Sequence, residues 1–307
     1  MAHAVLVGIF QILLVLLLSP LLEGVIRKLK ARIHSRQGPP ITQPYLDLIK
    51  LLGKEDLRPT GGLVFRLAPI VTMAAVLMIA LLIPMGAGAP IGQSADLIVL
   101  LYVMSIAAVG IIAAGFASGS PYASLGAGRE MMMVLTTEPV VAVALIVAAL
   151  KSGTLMLDGM VGWQLSHPWP LTDPVGLSML VAGVTFFLAL QAQVGKLPFD
   201  IAEADQEIMG GPFVELSGPR LALIKWCFHM RLLLFSVLLV QIFVPWPDLG
   251  LAALNVVMTL VKAFVVVVLV GLIDVVNPRL RIDQSMSYFA RIIVVALVAV
   301  ALTVIKA

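Results

Sequence analysis

Residues 96–116 read Asp-Leu-Ile-Val-Leu-Leu-Tyr-Val-Met-Ser-Ile-Ala-Ala-Val-Gly-Ile-Ile-Ala-Ala-Gly-Phe. No charged residue follows Asp96 within this run. About 20 such residues are what a helix needs to cross a bilayer. The run is too long for a barrel strand, and an open sheet cannot satisfy its backbone in lipid. It therefore predicts a transmembrane helix, and seven more runs of the same kind flank it. They lie at about 5–24, 66–86, 131–150, 175–194, 221–245, 251–275 and 285–305. The expected fold is all-α: one integral membrane domain over 1–307, a bundle of about eight spans.

The composition agrees. Charged residues make up 12% of the 307 positions, against about 25% in a soluble domain, and hydrophobic residues 61%. Mean hydropathy is +1.08. These values exclude an ordinary soluble enzyme and a disordered chain. The 20 Lys and Arg are offset by 17 Asp and Glu, which leaves no basic face for nucleic acid. Cys227 is the one cysteine, so the chain supplies no cysteine cluster for zinc or iron–sulfur and no internal disulfide. Histidines 3, 34, 167 and 229 have no metal-ligand spacing, and neither a phosphate loop nor a dinucleotide fingerprint is present. The first apolar run has no basic stretch before it and no small-residue cleavage site after it. It reads as a first span rather than a signal peptide.

Lys and Arg collect on one side. Loops 27–65, 117–130, 195–220 and 276–284, with Arg66 at the edge of the first, hold fourteen of them, from Arg27 to Arg281, while the opposite side has only Lys151 and Lys306. The positive-inside rule then predicts those loops in the cytoplasm and both termini outside. Within the first loop, 44–54 predicts an amphipathic helix. Pro44 suits its first turn, Tyr45, Leu48, Ile49 and Leu52 form the apolar side, and Asp47, Lys50 and Lys54 the other. It either lies in the interface, on its own bundle, or against a partner.

Ionisable groups in a membrane are costly and are functional candidates by default. Glu130 and Glu138 are eight residues apart, near one helix face, with Arg129 the expected partner of Glu130. Glu138 lies two turns into apolar sequence with no adjacent opposite charge. It is either a proton carrier or a cap for a proline-related break. The segment 195–220 carries Asp200, Glu203, Asp205, Glu207 and Glu215 between Lys196 and Arg220. The spacing puts Asp200, Glu203 and Glu207 on one helix face. The segment reads as an acidic funnel, a docking surface or a solvated loop, and its carboxylates alone do not establish a cation geometry. Lys225 and His229 are four apart and face together, Lys225 being able to snorkel. Arg231 shares their span. Lys262 lies deep in the seventh span and is expected to meet a carboxylate from another helix. Asp274 ends that span, Arg279 and Arg281 read as topology anchors, and Arg291 is expected to pair with Asp274 or Asp283. No nucleophile, base and orienting acid are placed for hydrolysis.

The run Gly-Lys-Leu-Pro-Phe-Asp-Ile-Ala-Glu-Ala-Asp-Gln-Glu at 195–207, with Glu-Leu-Ser-Gly at 215–218, resembles the acidic loop of the respiratory complex I subunit 1 family. That family includes the membrane-anchor subunits of energy-converting and formate-hydrogenlyase-type [NiFe] hydrogenases. Arg36-Gln37-Gly38-Pro39 and Gln43-Pro44 resemble its first cytoplasmic loop, and 277–284 the loop before its last helix. Gly119-Ser120-Pro121-Tyr122, Arg129-Glu130 and Glu138-Pro139 resemble the hydrogenase branch. The shortened 38–42 segment and Gly210-Gly211-Pro212-Phe213-Val214-Glu215 depart from the quinone-reducing members.

The resemblance implies a subunit of an inner-membrane oxidoreductase complex in a prokaryote, with no cofactor of its own. The nickel–iron centre and iron–sulfur clusters would sit in partners: hydrogenase large and small subunits and an iron–sulfur subunit. Antiporter-like subunits would join it in the membrane. Glu130, Glu138, Asp200, Glu203, Asp205, Glu207, Glu215, Lys225, Lys262 and Asp274 become candidates for a proton or ion path, and Arg32, Arg36, Asp47, Lys50, Arg279, Arg281 and Asp283 for docking. Alternatives are a quinone-site subunit of complex I, a stand-alone secondary transporter and a purely structural anchor.

Overall fold

The computed structural model describes residues 2–57, 62–167 and 174–304, and within them all side chains but those at 2, 3, 93, 174, 175 and 205. Arg58 and Lys306, both counted for topology, and the Asp205 side chain lie outside this set. The fold is all-α, and among the described residues there is no strand beyond one isolated bridge, Asp96 to Met156. The helices are α1 (Ala2–Ile33), α2 (Gln43–Leu52), α3 (Leu63–Leu82), α4 (Leu97–Ala117), α5 (Pro121–Ser152), α6 (Leu157–Ser166), α7 (Pro174–Gln193), α8 (Asp205–Ile208), α9 (Gly218–Phe243), α10 (Ala252–Val276) and α11 (Ile282–Val304). Eight of them, all but α2, α6 and α8, are long and apolar enough to cross a membrane.

Two helices run past the expected spans because hydropathy marks lipid, not helix. α1 continues through Arg27, Lys28, Lys30 and Arg32, and α5 begins ten residues before its apolar stretch, taking in Arg129 and Glu130. Charged residues of good helix propensity extend a helix once packing has nucleated it. The short α6 lies between the fourth and fifth expected spans.

α9 is the central post. It packs against α1, α2, α3, α7 and α10, and nearly all of its second half is buried. α4 lies between α3 and α5, and α11 against α5 and α7. Pro20 inside α1 has no N–H to give the Leu16 carbonyl. The Trp226 indole of α9 donates to that carbonyl at 3.1 Å, and one residue on, the Tyr45 hydroxyl of α2 donates to Leu17. The proline break thus fastens α2 and α9 to α1. α2 buries Pro44, Leu48 and Leu51 and leaves Ile49 and Leu52 exposed, so its packed face is rotated from the expected one.

Candidate functional site

Segment 194–217 crosses the basic end of the bundle, the end carrying Arg27 to Arg36. It is not a helix with three acids on one face. Only Asp205–Ile208 is α-helical, Gly211–Phe213 forms a single 3-10 turn, and the rest is held by turns and by bonds to other elements. Three like charges at helical spacing would have repelled one another; the irregular path separates them and gives each its own surroundings. The Asp274 carboxylate accepts the Leu197 N–H at 3.1 Å and pairs with Lys30. Pro198 accepts from the Leu280 N–H at 3.0 Å. Asp200 pairs with Arg279 at 2.8 Å. Arg129 pairs with Glu207 at 2.6 Å rather than with its neighbour Glu130, and holds the Glu207 carboxyl below the usual range. Behind the loop, Gly126 of α5 lets Gly211 and Pro212 come against the helix. A Cβ there would stand 2.6 Å from Gly211 Cα and Pro212 Cδ.

Glu130, freed from Arg129, turns inward. Two adjoining cavities run through the charged interior, and a third adjoins them at the surface. The first, about 180 Å³, is lined by Glu23, Arg27, Lys196, Glu203, Lys225 and His229. Lys225 is exposed at its mouth. Glu23 and Lys196 form its inner ion pair at 2.8 Å, with Arg27 3.5 Å from Glu23. Burial pushes the Lys196 ammonium down, but the Glu23 carboxylate outweighs this and holds it above the usual lysine range. Lys225 and His229 line this cavity together, as their spacing predicts.

The second cavity, about 20 Å³, shares Gly195, Glu203 and Phe228 with the first and adds Glu130, Asp200 and Arg231. It is about the size of one water. Arg231 is 4% exposed and donates to Gln193 at 3.1 Å; Gln193 in turn donates to Thr137 at 3.3 Å. Among the described residues the other terminal nitrogen of Arg231 makes no hydrogen bond, and its guanidinium lies 5.5 Å from the Phe228 ring centre.

The third cavity, about 260 Å³, lies at the surface between α4 and α5. Val134 lines both it and the second. Glu138 sits here and accepts from Ser105 of α4 at 2.7 Å. Glu130 and Glu138 therefore do not share one chamber. Eight residues turn a helix about 80° past two full turns, enough to put Val134 between them.

Other expectations need correction. Among the described residues Lys262 meets no carboxylate; its ammonium donates to the carbonyls of Val244, Pro245 and Trp246 at 2.8–3.0 Å. Those groups follow Phe243, the last residue of α9, and a cation there satisfies carbonyls that have no intrahelical donor. Arg291 pairs with neither Asp274 nor Asp283: Asp274 is taken by Lys30, and Asp283 lies 3.4 Å from Arg281. Glu215 is half-buried and lines none of the three cavities. Of the docking candidates, Arg32, Arg36, Lys50, Arg281 and Asp283 are exposed at the basic end. Asp47 is bound to Arg27 at 3.0 Å, and Arg279 to Asp200.

Glu23, His229, Arg231 and Ser105 complete the track without having been singled out as path residues. A signal existed for Glu23, a lone acid inside the first apolar run. None existed for Ser105, whose role depends on α4 lying beside α5.

This is a polytopic helical membrane protein with a charged track entering from one end. Residues 5–305 match the family model described as NADH dehydrogenase, and the chain belongs to that family. It is 36% identical to formate hydrogenlyase subunit 4 of Escherichia coli (strain K12), over 91% of this chain and 92% of that one. It is 35% identical to hydrogenase-4 component C of the same organism, over 89% and 87%. The NADH-quinone oxidoreductase of Paraburkholderia phymatum contains a subunit 30% identical to it, over 85% and 78%. Among solved structures, a chain of the membrane-bound sulfane sulfur reductase, an archaeal respiratory membrane complex, superposes with a TM-score of 0.88. It is 29% identical and the match covers 98% of this chain and 99% of that one.

Proposed function

We propose that this chain is the membrane-anchor and ion-coupling subunit of a membrane-bound [NiFe] hydrogenase complex, with its basic end in the cytoplasm. The observation that carries the reading is the row of three adjoining cavities. Protonatable groups follow one another along it: Glu23, Lys196 and His229, then Glu203, Glu130 and Asp200, then Glu138. A proton needs such stations at short intervals, with space for water between them. The charges Arg32, Arg36, Lys50, Arg281 and Asp283 are exposed at the basic end and offer polar contacts to a soluble arm.

In this reading the soluble arm holds the nickel–iron centre and iron–sulfur clusters in its large, small and iron–sulfur subunits. Electron transfer there shifts the charge at the mouth. The shift reaches Glu138 through the buried Arg231, and antiporter-like subunits beside α4 and α5 take over the ion movement. Two hydrogenase-type relatives favour this arm over a quinone-reducing one. The likeness to a sulfane sulfur reductase supports a second reading in which the same membrane part serves another terminal acceptor. Gentle-detergent purification with identification of copurifying subunits, followed by ion-uptake measurements in proteoliposomes, tests the proposal. A nickel–iron large subunit and hydrogen-linked ion movement are expected. A quinone-dependent arm, or transport by the isolated chain, would overturn it.

A further inference from the structure

Outside the track, α11 carries one polar stripe on an otherwise lipid-ready helix. Gln284, Ser287, Tyr288 and Arg291 follow at i, i+3, i+4 and i+7, so they share a face, and with Asp283 they line a groove of about 400 Å³. Arg291 is nine residues into α11, about 14 Å along its axis at 1.5 Å per residue. It is exposed there, on a helix whose apolar stretch is only 22% buried. Among the described residues, no hydrogen bond or ion pair occupies the Arg291 guanidinium or the Tyr288 hydroxyl. Asp283, the one acid in the groove, is already beside Arg281. The Gln284 carbonyl oxygen accepts the Arg281 N–H, which leaves its amide N–H groups facing the groove. Below Arg291 the same face becomes Val294, Val295 and Val298, 57%, 44% and 52% exposed.

The face is thus a cationic, donor-rich head above an apolar tail. An arginine can snorkel from there to the phosphate level. Guanidinium and hydroxyl donors match phosphodiester oxygens. A neighbouring protein helix would need to bring its own acid into lipid to satisfy Arg291, whereas an anionic lipid carries its charge at that level already.

We infer that the groove of Gln284, Tyr288 and Arg291 binds the phosphodiester headgroup of an anionic glycerophospholipid, with its acyl chain along Val294, Val295 and Val298. The site touches the acidic segment. The Tyr288 ring packs on Phe199 at 5.4 Å between centres, and Phe199 is the residue before Asp200. On the coupling reading above, the lipid would steady that end of the track; the binding itself does not depend on that reading.

The purified complex, delipidated in detergent, can be given photoreactive phosphatidylglycerol or photoreactive phosphatidylcholine and the adducts mapped by mass spectrometry. Phosphatidylglycerol adducts are expected on residues 284–298. They should fall about five-fold in Arg291→Gln, the order expected for one basic contact to an anionic lipid, and return in large part in Arg291→Lys, which retains the charge. Equal labelling by both lipids, or undiminished phosphatidylglycerol labelling in Arg291→Gln, overturns the site. So does a photoreactive residue at 287 that crosslinks to a protein subunit instead of lipid. Lipid labelling as expected in a wild-type complex that shows no ion coupling would count against the coupling reading alone.

Discussion

The Ser105 hydroxyl of α4 donates a 2.7 Å hydrogen bond to the Glu138 carboxylate of α5, one turn below the point where Val134 separates Glu138 from the chamber of Glu130 and Arg231. A glutamine at 138 can still accept that bond through its carbonyl oxygen, but it cannot exchange a proton. Glu138→Gln is therefore expected to assemble normally and to lower ion-coupled turnover by about 100-fold or more, the lower end of what a positioned proton-transfer group contributes. Ser105→Ala should give a smaller loss. Proteoliposome ion uptake set beside subunit stoichiometry checks this, and coupled activity at wild-type level in Glu138→Gln would remove Glu138 from the path.

The Glu23–Lys196 pair joins α1 to the acidic segment across 173 residues, with side chains 9% and 19% exposed. Removing one partner strands the other charge in a buried place, which costs about 3–5 kcal/mol in comparable pairs. Lys196→Met or Glu23→Gln alone should lower the thermal midpoint of the purified complex clearly. The double variant should regain much of the loss, because neither charge is then unpaired. Additive losses in a double-mutant cycle would mean the pair does not act as a unit.

Lys262 is expected to matter for stability and not for coupling. Its three protons go to three consecutive carbonyls at the end of α9. Lys262→Met leaves those acceptors without a donor, a loss of about 1–3 kcal/mol. Thermal unfolding should shift down while the ion-to-hydrogen ratio of the surviving complex stays unchanged. A changed ratio would restore the path role that sequence suggests for this lysine.

Two glycines of α5 provide a matched test of the loop niche. A methyl at Gly126 meets Gly211 and Pro212 atoms at 2.6–2.8 Å, whereas one at Gly128 meets nothing within 4 Å. Gly126→Ala should displace the turn at 209–213 at a cost of about 1–3 kcal/mol and weaken attachment of the soluble arm. Gly128→Ala should be neutral or slightly stabilising through helix propensity. Limited proteolysis of the segment and recovery of the arm on purification report both outcomes.

The bundle was readable because hydropathy is a local property. A run such as 97–116 has no other way to satisfy its backbone in lipid, whatever its neighbours are. The same locality explains the misplaced ends of α1 and α5. Apolar residues mark where lipid begins, while Arg27 or Arg129 can continue a helix in water. Acidic residues crowded at 200–207 were visible, but helical spacing suggested a shared face that their mutual repulsion and the turns at Pro198, Met209 and Gly210 do not allow.

Partner choice was where local reasoning ran out. Arg129 is adjacent to Glu130 in sequence, yet it reaches 78 residues ahead to Glu207, leaving Glu130 to face Arg231 across a water-sized chamber. Lys262 needed an acceptor, and spacing could not tell a carboxylate from three carbonyls at a helix end. The sequence by itself determined that this chain is a membrane bundle, which end is basic, and which scarce charges carry weight, since each of these follows from the cost of placing a side chain in lipid. Only the tertiary structure decided which charges neutralise one another and which open onto a cavity. An ion pair is set by a few ångströms between helices far apart in sequence, and no spacing along one helix carries that distance.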